Sequence, residues 1–593
     1  MLILALLCLL FLASAGGNGG AVPADSDEAR GRGDAIIPAD RRIDWKVGIP
    51  GGIPTDRPVW KSVTDPPYSA DPTGSSDTAA AFNQALADIP EQHALYVPAG
   101  IYRLDSSIEW HDKGNNKTLR GAGPGLAKLL FYGGMIKMGP GSTETHTGLD
   151  LDTKTNGLSI DADLNQDAVK GENHVHLSAL PSWVKSGHLY IIDQLDDPSF
   201  VRNGGSEGSQ HPREGTGNGA RGLGQVVKVT STQQNGPSDY QVNFEIPLYY
   251  GFRTSRQAQI AMAGYDATSA APLSNCGVED LYLEGKHALG WSRGTAGHFI
   301  RMDSCVHCWV KNVEAYNVPA NCHVWASFCY GLEIRDSLFH DSHAYGGGEA
   351  YGVALYNDTS ASLVENNIFK HLHCPMMACY GSSGNVFGYN YILEGAASSG
   401  QFAGISTHAT HAYMNLWEGN NGDKALADWT HGSGSHNTLL RNKLRGYDPG
   451  GRWDQCAVHI AYYNRKWNVV GNILGTAGYH TVYEHSNGEP DDPSVDGVVY
   501  RLGYSLDRKL GNPCDDPATM DLIRHGNWDS VTRSVKWDPN IAGHDLPNSY
   551  YLSSKPAFFG NLPWPAFGPD GPGFETNKIP AQIRYEDMTC SRR

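Results

Sequence analysis

The chain has 593 residues, 70 glycines, a hydrophobic fraction of 40% and a formal net charge of −17. That apolar content suffices for a large core. The acidic balance, with no basic stripe, excludes nucleic acid as the main partner, because phosphate binding needs clustered cations.

In chain order, residues 1–15 are apolar and uncharged and end at Ala13-Ser14-Ala15. A segment this short does not span a bilayer and reads as a signal peptide, which predicts a secreted, extracellular protein with no membrane partner. Of the 11 cysteines, Cys8 leaves with that segment. The even remainder permits disulfides, and Cys305/Cys308, Cys322/Cys329 and Cys374/Cys379 are locally close. Asn116-Lys117-Thr118 and Asn357-Asp358-Thr359 are glycosylation sequons.

Residues 16–42 mix Gly, Asp and Arg and read as a disordered leader. A turn-rich stretch, Tyr68 to Gly74, precedes an alanine-rich segment, Ser76 to Ile89, with apolar residues at helical spacing and Asp77 or Ser76 as its cap. The strand Ala94 to Pro98 follows, then Ala99-Gly100 and Ile101 to Leu104. Further on, Val226 to Val229 and Tyr240 to Phe244 alternate like hairpin strands within an excursion at about 185–250. The Gly-rich stretch 199–224 reads as a long surface loop in preference to a flap beside a cleft.

Between residues 276 and 486 a short strand beside an asparagine recurs at intervals of roughly 23–30 residues. Aligning the repeats gives the column Asn312, Ser337, Asn367, Asn390, Asn415, Asn442 and Asn472. One turn of a parallel solenoid has this period, and its coils stack about 4.8 Å apart. Asparagine suits such a column, since its amide donates to one neighbouring coil and accepts from the other, and it tolerates left-handed backbone.

The order of turn, helix, strand, Pro98-Ala99-Gly100 and Tyr102-Arg103 over roughly residues 60–130 resembles the amino-terminal segment of the pectate-lyase-like superfamily of β-helix proteins. The resemblance implies an all-β fold, a right-handed single-stranded parallel β-helix with an N-terminal capping helix and an asparagine ladder. It would occupy residues 43–506, with a closing tail over 507–593. It also implies a polysaccharide substrate, and it specifies a fold better than a reaction.

Fourteen of the 24 histidines lie between His298 and His485. In the asparagine frame His343 and His373 share a column, Asp341 aligns with His371, and Ser360, Ser383, His408, Ser435 and Arg465 share another. The leading reading is glycosidic-bond hydrolysis by a carboxylate pair drawn from Glu349, Glu418 and Asp428, with Asp358 and Asp454 also in the dense region. The alternative is β-elimination from a uronate-containing glycan, with His408, His431 and Tyr356 moving protons and Arg452 or bound calcium neutralising the carboxylate. Hydrolysis requires no cofactor. A third reading is a non-catalytic, glycan-binding or structural β-helix. The expected catalytic set is therefore Glu349, Tyr356, His408, Glu418, Asp428 and His431, with His343, His373, His411, Trp417, Trp429 and Arg452 binding substrate. His408 and His411 have metal-ligand types, but irregular backbone there lacks the geometry of a helical pair and no third ligand is identifiable. The segment Asp428 to Asn437 distantly resembles the His-Gly motif of polygalacturonases; the flanking aspartate pairs of that family are absent, so no roles carry over.

Overall fold

The computed structural model describes residues 36–110, 114–140, 160–205, 209–214, 219–263, 271–289, 297–398, 402–447, 455–486, 497–504 and 515–591. The chain winds as a parallel β-helix of three long sheets of 12, 13 and 11 strands. Each coil visits them in turn, as Leu363–Glu365 in the first, Ile368–Lys370 in the second and Cys374–Cys379 in the third. Pairing within these sheets is parallel except at the final hairpin, Asn527–Asp529 with Ser534–Lys536.

The alternation of side chains along each strand builds the core. On the first sheet Val278, Val310, Ile334, Val364, Phe387, Trp417, Leu439 and Val469 stand in register and point inward. On the third, Val324, Val353, Met376, Ile405, Ala425 and Val458 do the same. Each inward column buries apolar area continuously, so the solenoid gains stability coil by coil. The helix Ala79–Asp88 adds Phe82, Ala85 and Leu86 to the same core. Its first backbone N–H donates to the Asp77 carboxylate at 3.2 Å.

Two files of polar side chains run along the corners. At the corner between the first and second sheets the backbone N–H of Val313, Ser337, Asn367, Asn390, Asn420, Asn442 and Asn472 each donates to the side-chain oxygen one coil on, ending at Asn527. At the corner before the first sheet the file is Ser362, Asn385, Asn415 and Asn437. The column expected from the repeats therefore mixed two corners: Asn415 belongs to the second file, Asn420 replaces it in the first, and Asn312 turns instead to Asp280. Both corners carry an asparagine followed by an apolar strand, and they lie five residues apart in that coil, so the alignment slipped from one to the other. The slip also misplaced His408. The bridged column is Ser360, Ser383, Tyr413, Ser435 and Arg465.

The excursion folds as a six-stranded antiparallel sheet made by Asp161–Asp163, His174–Leu177, Leu189–Asp193, Gly224–Gly236, Asp239–Phe244 and Gln259–Met262. Its apolar face packs on the turns between the third and first sheets, against Val306, Phe328, Tyr330, Ala361 and Tyr413. The last part of the expected leader is ordered: Ile36 and Ile37 are buried against Leu363, Val386 and Leu416. The tail runs back along the solenoid over many coils, from Arg441, which holds the Leu546 and Pro547 carbonyls and Asp570, to Arg584, which holds the Asn366 carbonyl.

The expected disulfides do not form among the described residues. Cys305, Cys308 and Cys329 are free thiols in the core, and Cys322, Cys374 and Cys379 are free thiols on the outer face of the third sheet. Asn357, in one sequon, is buried and donates to Ser327. No helix among the described residues is long and apolar enough to cross a membrane.

Candidate functional site

The third sheet carries the site on its outer face. Between the inward residues of its strands stand Trp325, Ala354, Met377, Ser406, Leu426 and His459, in register from coil to coil. The file at the strands' ends holds Ser327 beside Tyr356, Cys379 beside His408, and Asp428 just past Ala427, which pairs with Thr407. Stacking thus brings together residues some 20–50 positions apart.

His408 and Asp428 meet there, with Nδ1 2.6 Å from Oδ2 and side chains 19% and 10% exposed. The other Asp428 oxygen accepts the Thr430 N–H at 3.0 Å, which fixes the carboxylate. The carboxylate oxygen accepts from Nδ1, which fixes the tautomer of the His408 imidazole. The His431 ring lies 5.0 Å from that of His408 and perpendicular to it.

A strap from the excursion crosses this spot. The His431 carbonyl accepts from Gly204 and Gln210 N–H at 3.3 Å and from the Thr410 hydroxyl at 3.1 Å, and Arg202 N–H donates to Ser433. The Gln210 side chain meets the Tyr380 hydroxyl. The described parts of the Gly-rich stretch are therefore bonded across the coils and are not a loose surface loop. Gly205 is required at the crossing, since a Cβ there would lie 1.6 Å from the Trp429 carbonyl oxygen.

An aromatic wall flanks the dyad. Trp325 stacks on Tyr356 at 3.8 Å and Tyr356 on Tyr380 at 5.2 Å. Burial raises the Tyr356 phenol well above its ordinary pKa, and its hydroxyl donates to the Met377 sulfur at 3.7 Å. Tyr356 is thus a wall residue and is not poised to give a proton.

Of the twelve expected residues, His408, Asp428, His431 and Tyr356 converge on this face. Glu418 does not. It lies on the first sheet, fully buried beneath the tail, accepting from the Tyr389 hydroxyl at 2.8 Å and the Tyr550 N–H at 2.9 Å; burial pushes its carboxyl up to about 7. Trp417 is inside the coil, fully buried and stacked between Phe387 and Trp467. Glu349 closes its own turn by accepting the Gly346 N–H at 2.6 Å. His343 donates to the Gly285 carbonyl and His373 sits beside the Gly346 carbonyl, both on the turns between the second and third sheets. His411 is buried against Ser435, which depresses its pKa to about 3, and Trp429 is buried edge-on to Tyr462. Asp358 is buried as well, beneath Gly224 and Gly381. Arg452 and Asp454 lie outside the described residues. Among the described residues no group of three or more His, Cys, Asp or Glu could hold a metal ion.

The sequence reading missed Trp325, Tyr380 and Gln210. Coil register was the signal for the first two, because Trp325, Tyr356 and Tyr380 occupy successive coils and stack in that order. Nothing local marked Gln210, which arrives from the excursion.

No family model and no curated protein matches the sequence. Solved structures of similar course include the tailspike protein gp49 of Pseudomonas phage LKA1, at 10% identity over 75% of this chain and 79% of that one, with a TM-score of 0.39. The mannuronan C-5 epimerase AlgE6 A-module of Azotobacter vinelandii matches at 13% identity over 79% and 99%, with a TM-score of 0.35. The surface adhesin PfbA of Streptococcus pneumoniae matches at 11% over 79% and 90%, with a TM-score of 0.34. At these values the likenesses decide nothing about chemistry, and the parallel β-helix rests on the strand ladders themselves.

Proposed function

We propose that the protein cleaves a uronate-containing polysaccharide by β-elimination on the outer face of the third sheet. The observation that carries this reading is the His408–Asp428 pair, 2.6 Å apart, with His431 beside it and an aromatic wall along the same face. His408 Nε2 takes the proton from C5 of a uronate unit, the C4–O4 glycosidic bond breaks, a C4=C5 double bond forms, and His431 returns a proton to the departing oxygen. Asp428 stabilises the imidazolium that forms on His408. The amino-terminal resemblance to pectate-lyase-like proteins supports a polysaccharide substrate. Hydrolysis by a carboxylate pair has less support, because Glu349 and Glu418 stand away from Asp428, and Asp428 is engaged on His408.

The test is incubation of the protein with a broad polysaccharide panel, with and without chelator, following new reducing ends and unsaturated-uronate absorbance together. Elimination gives both signals, and His408→Ala lowers both by about 10²–10⁴-fold. Reducing ends without unsaturation establish hydrolysis and overturn the proposal. Silence on the whole panel from folded protein points to a binding role.

A further inference from the structure

Beside the strap, between the excursion and the last coils, lies an open cavity of about 410 Å³, lined by Leu195, Asp196, Val201, Arg202, Asn203 and Tyr463 among others. Thr410 ties the strap to the coil that carries His408. Its hydroxyl lies 3.1 Å from the His431 carbonyl and 3.4 Å from that of Arg202, and it follows His408 by two residues.

The polar atoms of the cavity are incompletely satisfied. Asp196 accepts the Gly222 N–H on one oxygen at 2.7 Å, while its other oxygen is shut off from solvent with no partner. The side-chain amide oxygen of Asn203 is in the same state. Both atoms belong to residues that line the cavity; a buried polar group without a partner is costly, and a small turn of either side chain offers it to a ligand that presents hydroxyls. Burial pushes the Asp196 carboxyl up to about 7, so near neutrality it also offers a proton to an acceptor. Arg202 is exposed, forms no ion pair among the described residues, and holds its guanidinium 5.8 and 5.9 Å from the Tyr462 and Tyr463 ring centroids. On a chain of net charge −17 an exposed arginine at a cavity mouth, without an ion pair among the described residues, fits an anionic group.

We infer that this cavity is a subsite for an acidic sugar unit of the glycan, with Arg202 pairing the sugar carboxylate, Asp196 and Asn203 binding its hydroxyls, and Tyr463 covering its apolar face. The inference rests on the reading of His408 as the centre of glycan cleavage. Arg202 supplies there the carboxylate recognition that a planar, permanently charged fork performs best.

The experiment is calorimetric titration of the His408→Ala protein with hexasaccharides of galacturonate, mannuronate and guluronate, each paired with its carboxyl-reduced form. The expected result is binding of at least one acidic hexasaccharide that Arg202→Ala weakens about tenfold or more, that Arg202→Lys restores only in part, and that carboxyl reduction makes indifferent to Arg202. Asn203→Leu weakens the acidic and reduced forms alike. Failure of every acidic hexasaccharide to bind, or equal affinity in the Arg202→Ala protein, overturns the inference. Cleavage of the same hexasaccharides by the unaltered protein is followed separately. Arg202-dependent binding without cleavage sinks the His408 reading alone, and cleavage without Arg202 dependence sinks the subsite alone.

Discussion

His408 and Asp428 stand on consecutive coils with Nδ1 2.6 Å from Oδ2, and neither position is special without the other. Asp428→Asn keeps the shape of the pair and removes the charge that holds the tautomer and stabilises the imidazolium. The expected outcome is a fall in kcat of about 10²–10⁴-fold with KM changed little. Steady-state kinetics on the cleaved glycan, beside an unchanged urea midpoint, checks it. Retained kcat would remove His408 from the mechanism.

The solenoid was legible because its period is imposed by stacking: every coil repeats the same strand and corner, and seven aligned positions expose that. Its register was less legible. Asn415 and Asn420 sit at two corners of one coil, both beside apolar strands, and only the hydrogen bonds tell which file each joins. That five-residue slip put His408 beside serines, when its true neighbours are Cys379 and Asp428. Trp417 and Glu418 were misread for a different reason. An aromatic and an acid next to each other look like a sugar site in sequence, but strand alternation sends Trp417 into the core, and the tail, some 130 residues later, covers Glu418.

Asn390 tests the corner file. Its side-chain oxygen accepts the Asn367 N–H at 2.9 Å, and its amide donates to the Val364 carbonyl at 2.9 Å and to Asn420 at 3.0 Å. Asn390→Ala leaves the buried Asn367 N–H without its partner and takes a donor from the Val364 carbonyl, which costs about 1–3 kcal/mol for each group so orphaned. Urea denaturation is expected to show a lower midpoint with an unchanged slope. The corresponding change at Asn312, whose side chain reaches only the exposed Asp280 contact, should cost well under 1 kcal/mol.

Docking of the tail is expected to weaken as pH rises. Glu418 and Glu365 are both pushed from an ordinary 4.5 up to about 7 by burial, and Glu365 accepts the Tyr551 hydroxyl of the tail at 2.8 Å. With a raised folded-state pKa, the stabilising protonated form is fully present below about 4.5, and its contribution is lost progressively as pH rises to about 7. The loss is on the order of 3 kcal/mol per group at most. Unfolding midpoints from pH 4.5 to 8 should therefore decline, and Glu418→Gln should flatten the decline. A pH-independent midpoint in the unaltered protein would contradict the assignment of these two carboxyls.

Gly205 holds the strap against the coil, and the expected consequence of filling it is specific. A Cβ at that position meets the Trp429 carbonyl at 1.6 Å, which is backbone and cannot swing aside. Gly205→Ala must lift the strap, breaking the Gly204 and Gln210 bonds to the His431 carbonyl. The solenoid beneath is unaffected, because its ladders do not pass through residue 205. Amide exchange should therefore quicken at residues 202–205 and 209–213 and stay slow at the corner asparagines. If the strap places substrate over His408, KM should rise by more than kcat falls. Equal loss of both with no change in exchange would mean that the strap is packing alone.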